Sequence, residues 1–165
     1  MAGAGKSWLV TAAATQASGG RGSAIAIATP TNDQAYGLVA SIANRYPDHD
    51  VAFAPAQGRA LTAATTALPN VYQLDAATAG QYPIVVGTLD KLGDAAARGD
   101  LPRFRHLCID EAFQTDAAKY YKVADIADRH LRVGDPGQLD PFTTMDDPGR
   151  WRGLSKTPPR PPSRC

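Results

Sequence analysis

The sequence has few cysteines, no long apolar run and almost no net charge, the features that most directly indicate a disulfide-rich, membrane or strongly basic protein. It has two cysteines, Cys108 and Cys165, which are too few for a disulfide scaffold and form no Cys-x-x-Cys pair. No run of about 18 apolar residues is present, so no transmembrane helix and no membrane partner are expected. Lys and Arg number 17 against 16 Asp and Glu, a net charge of +1. These absences predict a cytoplasmic protein in which any nucleic-acid contact comes from a local groove, because there is no global basic field.

The 165 residues are enough for one domain with a hydrophobic core of its own. Apolar segments of strand length alternate with segments of helical spacing, which is typical of an α/β fold with a parallel sheet. Strands are predicted over residues 23–28, 51–54, 83–87, 104–110 and 129–133, and helices over residues 6–17, 33–45, 88–98 and 115–128. Residues 55–82 show little periodicity of either kind.

The domain is expected to span residues 1–145. Residues 146–165 carry no apolar periodicity and end in a basic stretch rich in proline, so they are expected to form a disordered tail. Within the domain, Cys108 lies in an apolar run and is expected to act as a small buried hydrophobe. Tyr120 and Tyr121 are expected to pack along one face of the predicted helix 115–128.

Gly5-Lys6-Ser7 supplies the second half of the phosphate-binding pattern G-x-x-x-x-G-K-[ST]. Glycines let backbone N–H groups surround phosphate oxygens, and the helix that follows presents its positive end to them. The first glycine of the pattern would fall one position before Met1. From this segment alone, a chance Gly-Lys-Ser in a flexible N-terminus is an equally good interpretation.

Residues 106–111 form an apolar strand that ends in two carboxylates, Asp110 and Glu111. This is the Walker B arrangement, in which the strand holds one acid near Mg²⁺ and the second can orient or deprotonate water. A strand that simply ends in solvated acids is the alternative interpretation. Dispersed His49, His106 and His130 have no metal-ligand spacing, so a metal site made of side chains alone is not expected.

Five motifs in order then carry a resemblance to a known family. AGAGKS, ATPTNDQA, GTLDKL, DEAFQ and GDPGQLDP resemble motifs I, Ia, Ic, II and III of the first RecA-like motor domain of superfamily 1 helicases. The resemblance covers about residues 3–142 and is most specific in the DEA-x-Q and GDP-x-Q-L pair. It implies a P-loop NTPase sheet that binds ATP and Mg²⁺ and couples hydrolysis to single-stranded nucleic acid, DNA rather than RNA.

The resemblance also implies roles for individual residues. Glu111 would be the catalytic base, Gln138 would sense the γ-phosphate, and Lys6 would bind phosphate. Mg²⁺ would be held by Ser7 and Asp110. Nucleotide contacts are implied for Gly3, Ala4, Gly5, Lys6, Ser7, Gln114 and Gln138. Nucleic-acid contacts, mostly to sugar and phosphate, are implied for Thr29, Pro30, Asn32, Thr88 and Lys91.

The sequence also departs from the family. No second RecA-like domain with its arginine fingers is recognisable, so that domain is expected as a partner outside this chain. The strand that normally precedes the P-loop is expected to be missing as well, which would leave two neighbouring strand edges unpaired. We therefore expect a fragment truncated at both ends and impaired in hydrolysis. A remnant that only binds nucleotide or nucleic acid is the alternative, and another P-loop enzyme, such as a small-molecule kinase, is disfavoured by the DEA-x-Q and GDP-x-Q-L motifs.

Overall fold

The computed structural model describes residues 9–13, 25–54, 61–74, 78–112 and 115–134 of the chain. The strands are β1 (Ile25–Thr29), β2 (Val51–Ala54), β3 (Val71–Gln73), β4 (Ile84–Thr88), β5 (Phe104–Ile109) and β6 (Ala127–Arg132). The helices are α1 (Asn32–Arg45), α2 (Ala63–Thr66), α3 (Leu89–Ala97) and α4 (Ala117–Ala124), with a 3₁₀ turn at Ala79–Gln81. Residues 9–13 are also helical. None of the described helices is long and apolar enough to cross a bilayer.

The six strands form one sheet in the order β3-β2-β4-β1-β5-β6, and every pairing in it is parallel. The predicted α/β class with a parallel sheet is therefore confirmed. The expectation of two neighbouring unpaired edges inside the sheet is wrong for the described strands. Each inner strand has a partner on both sides, so a further strand could join this sheet only beyond β3 or beyond β6.

The core lies on both faces of the sheet because side chains alternate along each strand. On one face, Ile25 and Ile27 of β1 pack with Leu38, Val39 and Ile42 of α1. Val10, from the helical residues 9–13, joins the same face. On the other face, small alanines of β1 and β2 meet Leu89 and Leu92 of α3 and Val123 of α4. Burial on both faces explains why β1, β2 and β4 are continuous apolar runs in the sequence.

Cys108 belongs to the first of these faces and is buried, as predicted. Burial disfavours the charged thiolate and raises the pKa of the Cys108 thiol to about 11. The thiol therefore stays protonated near neutral pH and acts as packing rather than as a nucleophile.

The end of α4 is the clearest correction to the predicted elements. The helix predicted over 115–128 ends at Ala124, and β6 begins at Ala127, opposite Phe104 of β5. Asp125 caps the helix, and every residue of β6 after Ala127 is exposed. An edge strand with polar residues on both faces has no alternation to find, so its first residues resemble a continuation of the helix.

The stretch 55–82 is the second correction, since its described part contains α2, β3 and the 3₁₀ turn. These elements have four, three and three residues, which is too short for a periodic pattern. Asn70 fixes this region to the rest of the fold, because its buried amide group donates to the carbonyls of Ala43, Tyr46 and His49. The tail expected over residues 146–165 lies outside the described residues.

Two helical glycines give opposite expectations for the same substitution. A Cβ at Gly93 of α3 would lie 2.9 Å from the Cβ of Lys122 on α4, whereas a Cβ at Gly37 of α1 would meet nothing within 4 Å. Alanine favours a helix over glycine by about 1 kcal/mol, and overpacking costs about 1–3 kcal/mol. We expect Gly37→Ala to raise the free energy of unfolding by about 0.5–1 kcal/mol and Gly93→Ala to lower it by about 1–2 kcal/mol, measured by urea unfolding. Equal gains in both variants would contradict the close approach of α3 and α4.

Candidate functional site

The candidate site lies at the edge of the sheet where the parallel strands end. Thr29 at the end of β1 is in register with Thr88 at the end of β4, and Ala28 is in register with Ile109 of β5. The residues that follow, Pro30 after β1 and Asp110 after β5, therefore leave the sheet side by side. Three of the five sequence motifs meet at this edge.

The connections that follow β1 and β5 diverge at this edge. The chain leaves β1 into α1, which packs on one face of the sheet, and leaves β5 toward α4, which packs on the other. Adjacent parallel strands whose connections run to opposite faces open a crevice between their carboxyl ends, and ligands of open α/β sheets bind in such crevices. Sequence reasoning gave the residues of this crevice, but only the strand order gives its position.

Backbone hydrogen bonds to both neighbouring strands hold the acidic pair beside this crevice. The Asp110 N–H donates to the Ala28 carbonyl at 3.0 Å, and the Ala112 N–H donates to the Val133 carbonyl at 2.8 Å. Between them, the Glu111 N–H donates to Oδ1 of Asp110 at 3.0 Å. Asp110 is 6% exposed, and Glu111 is half-buried. The two carboxylates are thus carried by a short turn that is fixed to β1 on one side and to the end of β6 on the other.

The backbone of Glu111 adopts a conformation that is uncommon for residues other than glycine. Its φ is 51°, in the left-handed region, and it is the only residue other than glycine with a positive φ among the described residues. A side chain in this region costs roughly 1–2 kcal/mol, and such strain is concentrated at functional sites. Glu111 is also the only glutamate in the sequence. A strained turn that carries the single glutamate is the strongest local sign of a functional position in the described chain.

The carboxylates of Asp110 and Glu111 are ligands of the kind that bind a magnesium ion together with phosphate oxygens. No group of three or more His, Cys, Asp or Glu side chains that could hold a metal occurs among the described residues. Mg²⁺ needs no such group, since it keeps several waters and is commonly bound by one or two carboxylates together with phosphate oxygens. Asp110, fixed at the end of β5, is a carboxylate that could serve as a ligand of that kind.

The residues predicted to contact nucleic acid also perform local structural tasks. The Thr29 hydroxyl is buried and donates to the Thr31 carbonyl at 2.9 Å. Thr31 then caps α1 through a reciprocal capping box with Gln34. Thr88 caps α3 by a single bond, in which its hydroxyl accepts the Lys91 N–H at 3.3 Å. The threonines of both motifs therefore start the helices that leave the crevice.

The remaining predicted contacts are less buried. Pro30, Asn32 and Lys91 are half-buried at the starts of α1 and α3, and the side-chain oxygen of Asn32 is buried without a hydrogen-bond partner. Their contact with nucleic acid stays a prediction. Gly3, Ala4, Gly5, Lys6, Ser7, Gln114 and Gln138 lie outside the described residues, and their predicted roles stay predictions as well.

Thr115 is a residue beside the site that the sequence did not single out. It follows the DEAFQ motif, is 8% exposed, and has a buried hydroxyl oxygen without a hydrogen-bond partner. Its N–H donates to the carbonyl of Ala112, the residue directly after the acidic pair, at 3.2 Å. Its position directly after the motif is the only signal that could have drawn attention to it.

Comparisons with known proteins find similarity in structure but none in sequence. No protein-family model matches the chain, and no curated protein matches it. Among solved structures, the crystal structure of the Pyrococcus furiosus Hef helicase domain matches with 12% identity and a TM-score of 0.36, over 81% of this chain and 33% of that one. This chain therefore spans about a third of the length of that structure. The fold assignment rests on the sheet topology and not on this similarity.

Proposed function

We propose that the chain is the first RecA-like motor domain of a helicase-type ATPase, which couples hydrolysis of Mg·ATP to binding of single-stranded DNA. One observation carries the proposal: the DEAFQ acids leave β5 at the crevice beside β1, where the strained Glu111 backbone is held between two strands. The order of the five sequence motifs supports the same conclusion. A generic acidic strand end would explain neither the strain nor the order of the motifs.

In the proposed site each residue has a separate task. Asp110 binds Mg²⁺ together with Ser7, and Lys6 binds the phosphate groups. Glu111 accepts the proton of the attacking water through its carboxylate, and Gln138 and Gln114 link the nucleotide to the nucleic-acid surface. Bound Mg²⁺ would neutralise the charge that develops on the phosphate oxygens.

The nucleic acid would lie across the starts of α1 and α3. Pro30, Asn32 and Lys91 are the more accessible members of the predicted set. Thr29 and Thr88 would act through the helix starts that they hold, since both side chains are buried. Such contacts involve sugar and phosphate, so little sequence preference is expected.

The complete reaction is proposed to need a second RecA-like domain. An arginine finger from such a domain is worth about 10³–10⁵ in rate in related phosphoryl-transfer systems. This chain alone is therefore expected to hydrolyse ATP very slowly or not at all, while it binds Mg·ATP.

The proposal is tested by measuring ATP hydrolysis and Mg·ATP binding with and without single-stranded DNA. Lys6→Ala is expected to abolish nucleotide binding and any DNA-stimulated turnover, and Lys156→Ala, in the expected tail, serves as the matched control. Turnover that requires a small-molecule acceptor instead of DNA would favour a kinase. Absence of nucleotide binding in the unchanged chain would overturn the proposal, and brisk DNA-dependent hydrolysis would overturn the need for a second domain.

A further inference from the structure

A cluster of aromatic and basic side chains lies where α4 packs on β6. This surface, named here the α4–β6 surface, consists of Tyr120, Tyr121, His130 and Arg132. The Arg132 guanidinium lies 5.0 Å from the centre of the Tyr120 ring. The Tyr120 hydroxyl is 2.6 Å from Nδ1 of His130, and the rings of Tyr120 and Tyr121 are 5.8 Å apart. The four side chains thus form one connected group rather than four independent surface residues.

The exposure of the two tyrosines differs from the prediction that both pack along a helix face. Tyr120 is partly buried against the core. Tyr121 is 57% exposed, the highest value among the large hydrophobic side chains of the described residues. Tyr120 connects the exposed Tyr121 ring to the Arg132 guanidinium. Aromatic rings and arginine guanidinium groups are the side chains on which unpaired bases stack.

Among the described residues, no ion pair neutralises the charge of Arg132. Arg103 and Lys119 are paired with Asp128 and Asp90, at 2.7 Å in each case. Arg132 forms no such ion pair with any described residue. Asp128, the acid that shares its strand, is engaged by Arg103, so the guanidinium of Arg132 keeps its charge available to an anion.

The surface begins beside the candidate site. Arg132 is in register with Ile109, the residue directly before Asp110, so it stands at the same edge of the sheet as the acidic pair. From Arg132 the surface continues through the Tyr120 ring to the Tyr121 ring. The Tyr120 ring holds the guanidinium in place before any ligand arrives, which lowers the entropic cost of binding a phosphate group.

We infer that the α4–β6 surface binds single-stranded nucleic acid, with a base stacked on Tyr121 and a backbone phosphate on Arg132. This contact is additional to the five residues implied by the motifs. The inference rests on the proposed nucleic-acid partner but not on ATP hydrolysis. A single strand is required, because the bases of a duplex already stack on one another and do not offer their faces to a ring.

The test is fluorescence anisotropy of a labelled oligothymidine titrated with the full chain, in the absence of nucleotide. Tyr121→Ala is expected to weaken binding by roughly 5- to 150-fold, the range for removal of a base–aromatic stack. Arg132→Ala is expected to weaken binding and to reduce the slope of log affinity against log salt by about one. Arg132→Lys is expected to keep the salt slope but to lose affinity, since lysine cannot stack on Tyr120.

Two controls share the residue types but lie elsewhere on the chain. Tyr72→Ala removes a tyrosine that is 39% exposed on β3, and Arg98→Ala removes an exposed arginine already paired with Asp100. Both are expected to leave the affinity unchanged. Unchanged affinity in Tyr121→Ala and Arg132→Ala, or equal binding of a polyphosphate that has no bases, would overturn the inference.

The failure of this inference is distinguishable from failure of the proposed function. The oligonucleotide is titrated in the absence of nucleotide, so this affinity does not depend on the nucleotide site. If the oligonucleotide binds but ignores the surface variants, the α4–β6 surface is wrong and the proposed function stands. If no oligonucleotide binds, this inference and the proposed nucleic-acid partner both fail, and Mg·ATP binding still tests the nucleotide site.

Discussion

The Glu111→Gly variant is expected to lose the very slow ATP hydrolysis proposed for the unchanged chain, while its free energy of unfolding rises by about 1 kcal/mol. The two effects come from the same residue for different reasons. Its carboxylate is the proposed base, and loss of a general base lowers the rate by roughly 10²–10⁴-fold. Its backbone, with φ at 51°, occupies a region that glycine enters without steric cost. Part of the relief is offset by the greater freedom of glycine in the unfolded chain.

Two further variants separate these effects. Glu111→Gln removes the carboxylate but keeps a side chain at the strained position, so hydrolysis should fall with little gain in stability. Gly99 also has a positive φ, 75°, and a Cβ there would meet nothing within 4 Å. Gly99→Ala should therefore lower the free energy of unfolding by about 1–2 kcal/mol, the reverse of Glu111→Gly.

Hydrolysis in these variants is best followed in single-turnover reactions with protein in excess over labelled ATP, and stability by urea unfolding. Full hydrolysis in Glu111→Gln would remove Glu111 from the role of base. A loss of stability in Glu111→Gly would mean that the side-chain contacts of Glu111 outweigh the strain. The prediction thus distinguishes a residue retained for its chemistry from one retained for the fold.

The sequence reveals the sheet more readily than the site. Strands β1, β2 and β4 are buried on both faces and appear as apolar runs, so their positions are nearly those predicted. Strand β6 is exposed along most of its length, and its boundary with α4 cannot be read from periodicity. The local hydrophobic pattern of a sequence reflects burial. It therefore does not locate an element, such as β6, that is exposed.

The acidic pair was predictable because an apolar run ends abruptly in Asp110 and Glu111. The left-handed backbone of Glu111 was not, since glutamate does not favour that region and no glycine marks the position. The crevice itself depends on strand order, which places β5 beside β1 although more than seventy residues separate them in the chain. Long-range pairing of this kind leaves no mark in a local pattern.

Thr29 and Thr88 show a second limit of prediction from sequence, which concerns the role of a threonine before a helix. Threonine before a helix serves equally as a cap and as a polar contact, and the sequence does not distinguish the two. In the structure Thr88 caps α3, whereas the Thr29 hydroxyl bonds the carbonyl of Thr31, which caps α1, so family motifs and capping signals coincide in the same segments. A motif match therefore indicates where a functional loop begins. The hydrogen bonds of the structure then show which of its side chains stabilise the helix starts.

Asp110→Asn is expected to abolish the stabilisation that magnesium adds to bound ATP. Asparagine has nearly the same shape and keeps an oxygen that can accept the Glu111 N–H, so the turn should persist, but it lacks the negative charge that holds Mg²⁺. A ligand at a hundred times its dissociation constant stabilises a protein by about 2.7 kcal/mol. For a chain of this length each kcal/mol raises the melting temperature by about 2–4 °C.

The measurement compares thermal unfolding in ATP with magnesium and in ATP with a chelator. The unchanged chain should melt several degrees higher with magnesium, whereas Asp110→Asn should melt at the same temperature in both. Asp94→Asn, which alters an exposed acid on α3, should behave like the unchanged chain. An Asp110→Asn variant that keeps the full magnesium effect would place the metal elsewhere and remove the acidic pair from the nucleotide site. Loss of the effect would tie magnesium to the one carboxylate that the sheet holds rigidly between β1 and β6.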